Sequence, residues 1–237
     1  MSDSFVTKSL DSKQQAYQYL CQDLFSRSKI GPVFYTFSTV ITGFLADFHT
    51  SLPLPFIVAT VLLLVLAIAR LVSRPPENTQ ASLDNAIKKH WILVFFCVVT
   101  WSSFFSWTTY QLGLSSAFIF GLVSTINFST AIVHQYSPQL KRALFCSLLC
   151  LLPTSATILM FHPSLDVAAL ALLLYTPYLV ITAKNSHQEY FDHLNNKLKL
   201  EAALVKLEVL SITDALTGLY NRREFNRRIE CALSDRN

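Results

Sequence analysis

The sequence predicts an all-α membrane protein in which six membrane-spanning helices precede a long helix rich in charged residues. Composition supports this class: of the 237 residues 52% are hydrophobic and only 14% are charged, whereas charged residues make up about 25% of an average soluble domain. In addition, six apolar segments are each close to the roughly 20 residues that a helix needs to cross a bilayer.

The six predicted spans form three hairpins, because the connections after the first, third and fifth spans are very short. We place the spans at Gly31–Phe48, Leu54–Val72, Trp91–Leu112, Leu114–Val133, Ala143–Phe161 and Leu165–Ala183. The three hairpin tips contain no lysine or arginine. These residues occur before the first span, around the two longer connections and after the sixth span. The positive-inside rule therefore places both termini in the cytoplasm.

The N-terminal residues 1–30 are polar and lack the apolar core of a cleaved signal peptide. Tyr17, Leu20, Leu24 and Phe25 recur at helical spacing. Residues 9–28 therefore form either an amphipathic helix at the cytoplasmic membrane surface or a loosely ordered tail.

Few polar features interrupt the membrane domain, which we assign to residues 31–183. Arg70 lies near the inner end of the second span, where its side chain is expected to snorkel towards water. Pro153 and Pro177 are candidate kinks inside the fifth and sixth spans. A stripe of small residues along the fourth span favours close helix packing, either within the chain, which we favour, or across a dimer: Gly113, Ala117, Gly121, Thr125 and Ser129.

Four ionisable residues lie at two hairpin tips on the predicted outer face: Asp47, His49, His162 and Asp166. Histidine and aspartate suit both metal binding and a response to pH, so these residues are candidates for sensing. The alternative is that they are ordinary polar residues at helix ends facing water. Cys97, Cys146 and Cys150 lie within spans and are predicted to be buried apolar residues, whereas Cys21 and Cys231 are predicted to be cytosolic and reduced.

Residues 184–212 contain no glycine or proline and become charged. Their apolar residues follow steps of three and four, which predicts a continuous helix, about 40 Å long, leaving the sixth span. It forms either a parallel coiled coil across a homodimer, which we favour, or a single amphipathic helix packed on its own protein.

Residues 213–225, near the end of the chain, form the only segment whose order of residues resembles a defined motif. Asn221 followed by Glu224 resembles a capping box at the start of a helix. Arg222 and Arg223 then fall in the first helical turn, where the helix dipole disfavours cations. Their placement indicates either an anionic partner or two solvated arginines on a surface helix.

This segment resembles the opening signature of GGDEF domains, the diguanylate cyclase family, with the pattern D-x-L-T-x-L-x-N-R-R. Every fixed position matches: Asp214, Leu216, Thr217, Leu219, Asn221, Arg222 and Arg223. The resemblance extends only over Leu210–Leu233. It implies that residues 213–237 form the entry turn and first helix of an incomplete α/β domain, and that the signature relays a signal and is not the catalytic site.

The resemblance implies a bacterial inner-membrane sensor whose complete domain would condense two GTP into cyclic di-GMP with Mg²⁺. The metal-binding aspartate, the nucleotide-binding residues and the G-G-D-E-F loop of such domains do not occur in this sequence. We therefore expect no catalytic, cofactor or metal residue in this chain and no activity of the chain alone. The expected partners are the lipid bilayer and a second copy of the chain, and no nucleic acid. The alternative is a non-catalytic membrane signalling or interaction protein with a degenerate or lost GGDEF domain.

Overall fold

The computed structural model describes residues 17–73 and 80–212, together with residues 219, 221, 225 and 226. These residues are almost entirely helical, and no strand is found among them. Two short 3₁₀ turns, Ser137–Gln139 and Pro163–Leu165, join some of the helices. The helices are α1 (residues 17–27), α2 (Gly31–Leu45), α3 (Phe48–Ser51), α4 (Pro53–Val72), α5 (Gln80–Leu112), α6 (Ser116–Gln135), α7 (Leu140–Phe161) and α8 (Asp166–Ile212).

Five helical stretches in this part of the chain are long and apolar enough to cross a membrane: Pro53–Val72, Leu83–Leu112, Ser116–Gln135, Ser137–Phe161 and Pro163–Leu204. The protein is thus membrane-embedded and helical, as the composition predicts. The five stretches correspond to the second to sixth predicted spans, except that α6 begins at Ser116 and not at the predicted Leu114, because Ser115 caps the helix with its side chain.

The first predicted span, Gly31–Phe48, is not one continuous helix. Helix α2 has 15 residues and ends at Leu45, which gives it a length of about 22 Å against a hydrocarbon core of about 30 Å. Asp47 then adopts a left-handed backbone conformation with φ of 55°, which breaks the helix before α3. The prediction of the boundary at Phe48 was wrong because apolar composition does not reveal this local backbone reversal.

Helices α5 and α6 form the centre of the bundle. Half of the residues in an 18-residue apolar segment of each are buried, compared with 28% for such a segment of α4 and 22% for one in the stretch that contains most of α8. Trp101 of α5 is fully buried and meets Phe128 of α6 edge-to-face, with ring centroids 5.1 Å apart. The exposed leucines, isoleucines and valines of α4 and α8 therefore provide much of the apolar surface that faces lipid.

The small-residue stripe of α6 packs within the chain, as favoured from the sequence. A Cβ atom on Gly121 would lie 2.1 Å from the Phe105 ring. The Trp101 indole N–H donates to the Thr125 hydroxyl at 3.1 Å, and the Ser147 hydroxyl donates to the Ser129 carbonyl at 3.2 Å. The stripe thus brings both α5 and α7 close to the backbone of α6.

Helix α8 runs without interruption from Asp166 to Ile212, with Pro177 inside it. The sixth predicted span and the charged segment 184–212 are therefore one helix, which confirms the predicted continuity. The contacts divide the chain into two compact units, residues 1–190 and residues 191–237. In the second unit Leu200, Leu204 and Leu207 are each more than half exposed.

Helix α1 is packed against the bundle by its apolar face. Cys21, Leu24 and Phe25 are buried, and the Phe25 ring lies 4.8 Å from the His90 ring of α5. The Tyr17 hydroxyl also donates to Asp84. The apolar side of residues 17–27 is therefore covered by protein.

We predict that Gly121→Ala destabilises the protein, although alanine stabilises a helix by up to about 1 kcal/mol relative to glycine. Overpacking a rigid core costs about 1–3 kcal/mol, and the Phe105 ring is fully buried and cannot move aside. Thermal unfolding of the full chain in detergent should show a lower Tm for Gly121→Ala than for Gly31→Ala, whose new Cβ atom would meet only Gln135 at 3.4 Å. Equal Tm values for the two variants would contradict the close α5–α6 contact.

We also predict that Cys21 resists alkylation near neutral pH. Burial raises the pKa of the Cys21 thiol to about 11, so the reactive thiolate is scarce until the pH approaches that value. At pH 8 a maleimide should label Cys21 about a hundredfold more slowly than an exposed cysteine. The control is Gln22→Cys, one residue away on the exposed side of α1, with both labels located by peptide mass spectrometry. Similar rates at the two positions would show that α1 is not docked.

Candidate functional site

Four residues at one end of the bundle form a buried polar cluster: Ser28, Arg70, His90 and Tyr136. Arg70 Nη2 donates to the Ser28 carbonyl and to the Tyr136 hydroxyl, each at 2.6 Å. The Ser28 hydroxyl lies 2.7 Å from the Leu24 carbonyl and 3.1 Å from His90 Nε2. The cluster therefore joins the segment after α1, the end of α4, the start of α5 and the end of α6.

Arg70 does not snorkel, contrary to the sequence-based expectation. Its side chain is only 4% exposed, because neighbouring segments close over the end of α4. Its Nε atom is buried and has no hydrogen-bond partner among the residues that the structure describes. A buried polar group without a partner is costly, and a buried charge more so.

The guanidinium has no carboxylate partner in the part of the chain that the structure describes. The one ion pair found there joins Arg27 and Asp23. The side chain of Arg70 lies beside the Cys97 thiol and the Tyr136 phenol. Burial raises the pKa of Tyr136 to about 12, so the phenol is neutral at physiological pH and supplies no negative charge.

A cavity of about 460 Å³ extends from Arg70 between α2 and α6. Its volume is within the range of about 300–1,000 Å³ that is usual for small-molecule sites. At the Arg70 end it is lined by Tyr136 and Gln135, and further along by aromatic rings and small residues. One side of α6 adds polar groups at helical spacing, Ser124 and Asn127.

The cavity opens on the apolar outer surface of the bundle. Two of its lining side chains, Phe34 of α2 and Val123 of α6, are more than half exposed. Both lie on helices that border the opening. An entering molecule would therefore come from the lipid phase, and its apolar part would remain in an apolar environment.

The four predicted outer-face residues are not part of a metal-binding cluster in the described part of the chain, and their response to pH stays a prediction. No group of three or more His, Cys, Asp or Glu side chains able to hold a metal ion exists among the described residues. The centroid of the His49 ring lies 4.9 Å from that of the Phe44 ring, and His162 Nε2 lies 3.1 Å from the Tyr110 carbonyl. Asp47 supplies the backbone turn before α3, and the Asp166 carboxylate accepts the Val167 N–H at 2.7 Å at the start of α8. Each therefore has a local role at a helix end.

Cys97, Cys146 and Cys150 are free and buried, as predicted for apolar cysteines. The Asn127 side chain makes no interhelical hydrogen bond with the described residues. It is exposed and lines the cavity. The sequence gives no signal for this cavity, because its walls come from residues far apart in the chain.

Most of the signature lies outside the described residues, including Asp214, Leu216, Thr217, Arg222 and Arg223. Leu219 is 69% exposed. The Asn221 N–H donates to the Ile212 carbonyl at 2.8 Å, and the Asn221 carbonyl accepts the Phe225 N–H at 3.0 Å.

Comparison of the chain with protein-family models, with curated proteins and with solved structures gave no match.

Proposed function

We propose that this chain is the membrane input part of a diguanylate cyclase, whose complete catalytic domain condenses two GTP into cyclic di-GMP with Mg²⁺. One observation carries the proposal. Helix α8 includes the last candidate span and continues to Ile212, two residues before Asp214 begins the GGDEF-type signature. A single helix thus connects a membrane bundle to the residues that resemble the entrance of the catalytic domain.

The proposed output depends on a homodimer, because two GTP molecules held by two subunits must meet in one reacting geometry. Leu200, Leu204 and Leu207 form an exposed apolar face on α8, at steps of four and three. Such spacing is that of a coiled-coil seam. The second half of α8 would therefore pair with the same segment of another copy.

The proposed topology has six crossings, both termini in the cytoplasm and a location in a bacterial inner membrane. Contacts of α2 support a sixth crossing. Its first residue, Gly31, faces Gln135 at the end of α6, whereas Phe48, just after α2, packs 4.7 Å from the Trp107 ring near the other end of α5. Helix α2 and its turn therefore extend between the same two ends of the bundle as the longer helices.

The topology can be tested with a short fragment of a split green fluorescent protein and its complement expressed in the cytosol. Tags at residue 1 and at residue 237 should both give fluorescence, because an even number of crossings returns the chain to its starting side. A tag inserted after Thr50 should stay dark. Fluorescence from only one terminus would show an odd number of crossings and overturn the six-helix topology.

The function is tested by joining residues 1–212 to a complete catalytic domain of a characterised diguanylate cyclase, at that domain's own D-x-L-T-x-L-x-N-R-R sequence. We expect the membrane fusion to convert GTP into cyclic di-GMP. The same catalytic domain dimerised by a leucine zipper serves as the positive control. Product from the control but not from the fusion would contradict the proposal and favour the non-catalytic interaction protein.

Within this fusion, Leu204→Glu should lower cyclic di-GMP production about tenfold, because a charge in the apolar seam opposes helix pairing. Ala202→Glu is the matched control. It adds the same charge two residues away, on the opposite side of an α-helix. Cyclic di-GMP is measured by mass spectrometry in membranes with equal amounts of fusion protein. An equal loss of cyclic di-GMP in both variants, or no loss in either variant, would exclude the leucine face as the dimer seam.

A further inference from the structure

We propose that the cavity between α2 and α6 binds an anionic amphiphile from the membrane, with its carboxylate or phosphate head against Arg70 and its apolar part between the two helices. This site uses only residues 31–136 and does not depend on the proposed cyclase function.

The assignment of an anionic head group follows from the burial, the charge and the hydrogen bonds of Arg70. The side chain is 96% removed from solvent, is positively charged and has an Nε atom without a hydrogen-bond partner in the described part of the chain. Its two strong hydrogen bonds go to a carbonyl and to a neutral phenol, both uncharged acceptors. An oxyanion would supply both the missing acceptor and the missing negative charge, and guanidinium groups match the geometry of carboxylate and phosphate.

The tail assignment follows from the walls and the opening. The cavity is lined mainly by apolar and aromatic side chains of α2 and α6, among them Phe34, Tyr35, Phe120 and Phe128. Arg70 and Gln135 lie at one end, near the last turn of α4 and of α6, whereas Phe120 lies near the start of α6. Fifteen helical residues separate Phe120 and Gln135, a distance of about 22 Å. This length suits an extended chain whose polar head lies at the end of the bundle that carries Arg70.

Lateral entry follows from the exposure of Phe34 and Val123 at the opening. An amphiphile already dissolved in lipid reaches this opening directly. A neutral lipid such as an alcohol would fill the apolar part but leave the charge of Arg70 without a partner.

The experiment uses the full chain in nanodiscs of zwitterionic phospholipid and a photoreactive long-chain fatty acid with a diazirine in its tail. We expect saturable crosslinking to peptides of α2 and α6. A non-reactive fatty acid should compete at least about tenfold more strongly than the alcohol of the same chain length, because only the carboxylate pairs with Arg70. Equal competition by acid and alcohol would overturn the proposal, and so would crosslinks spread evenly over all lipid-facing helices.

The source of the anion is distinguished in the same assay. Stronger competition by free fatty acid than by phosphatidylglycerol assigns a free carboxylate, and stronger competition by phosphatidylglycerol than by free fatty acid assigns a phospholipid phosphate. Absence of competition by either anion overturns the proposal.

Variants separate binding from folding. Arg70→Gln retains hydrogen-bond donors for Ser28 and Tyr136 but removes the charge, so it should reduce the advantage of acid over alcohol to near unity. Ala131→Phe fills the cavity without touching the Arg70 charge and should abolish site-specific crosslinking. Its control is Ile119→Phe on the same helix, which is exposed and does not line the cavity. Unchanged crosslinking in Ala131→Phe would overturn the site even if Arg70→Gln failed to fold.

Glu77→Gln provides a further control, because Glu77 is the carboxylate that follows Arg70 most closely in the sequence. Binding should be unchanged in this variant. Binding that appears only after Glu77 is neutralised would show that the chain supplies its own anion, and would overturn the proposal.

Discussion

The burial of one positive charge constrains much of this bundle. Removing a guanidinium from water costs several kcal/mol unless hydrogen bonds and opposite charge compensate for it. Arg70 obtains its hydrogen bonds from the carbonyl of Ser28 and the hydroxyl of Tyr136. Those two acceptors lie after α1 and after α6, so satisfying one side chain fixes the positions of three separate segments at the end of the membrane domain.

The other end of the bundle is held by a different interaction. Aromatic rings of the first hairpin tip and of α5 interlock, with Phe48 against Trp107 and Phe56 beside Phe104. Between the two ends, the small residues of α6 allow the rings of Trp101 and Phe105 to approach its backbone. Lipid does not drive apolar helices together as water does, so this close packing and the polar contacts provide the cohesion.

The sequence predicts the features that depend on long local runs of residues. Apolar stretches of about 20 residues indicated α4 to α8, because hydropathy adds up over a whole helix. The end of α2 depends on the single conformation of Asp47, which composition does not encode. The state of Arg70 depends on segments 42 and 66 residues away in the chain. Snorkelling was a reasonable expectation for one isolated helix, and it is wrong because other segments cover that helix end.

Helix α6 both lines the candidate cavity and contacts the long helix α8. Helix α6 lines the cavity through residues from Phe120 to Gln135, and its Thr130 hydroxyl bonds to Tyr175 of α8. One turn further, His134 Nδ1 lies 3.0 Å from the Ser186 hydroxyl, also on α8. With so little of its apolar stretch buried, α8 relies on such polar contacts for its position. A displacement of α6 by a molecule in the cavity would therefore act on α8 through these bonds. Coupling in the thermodynamic sense further requires that α8 have two arrangements that the bound molecule distinguishes.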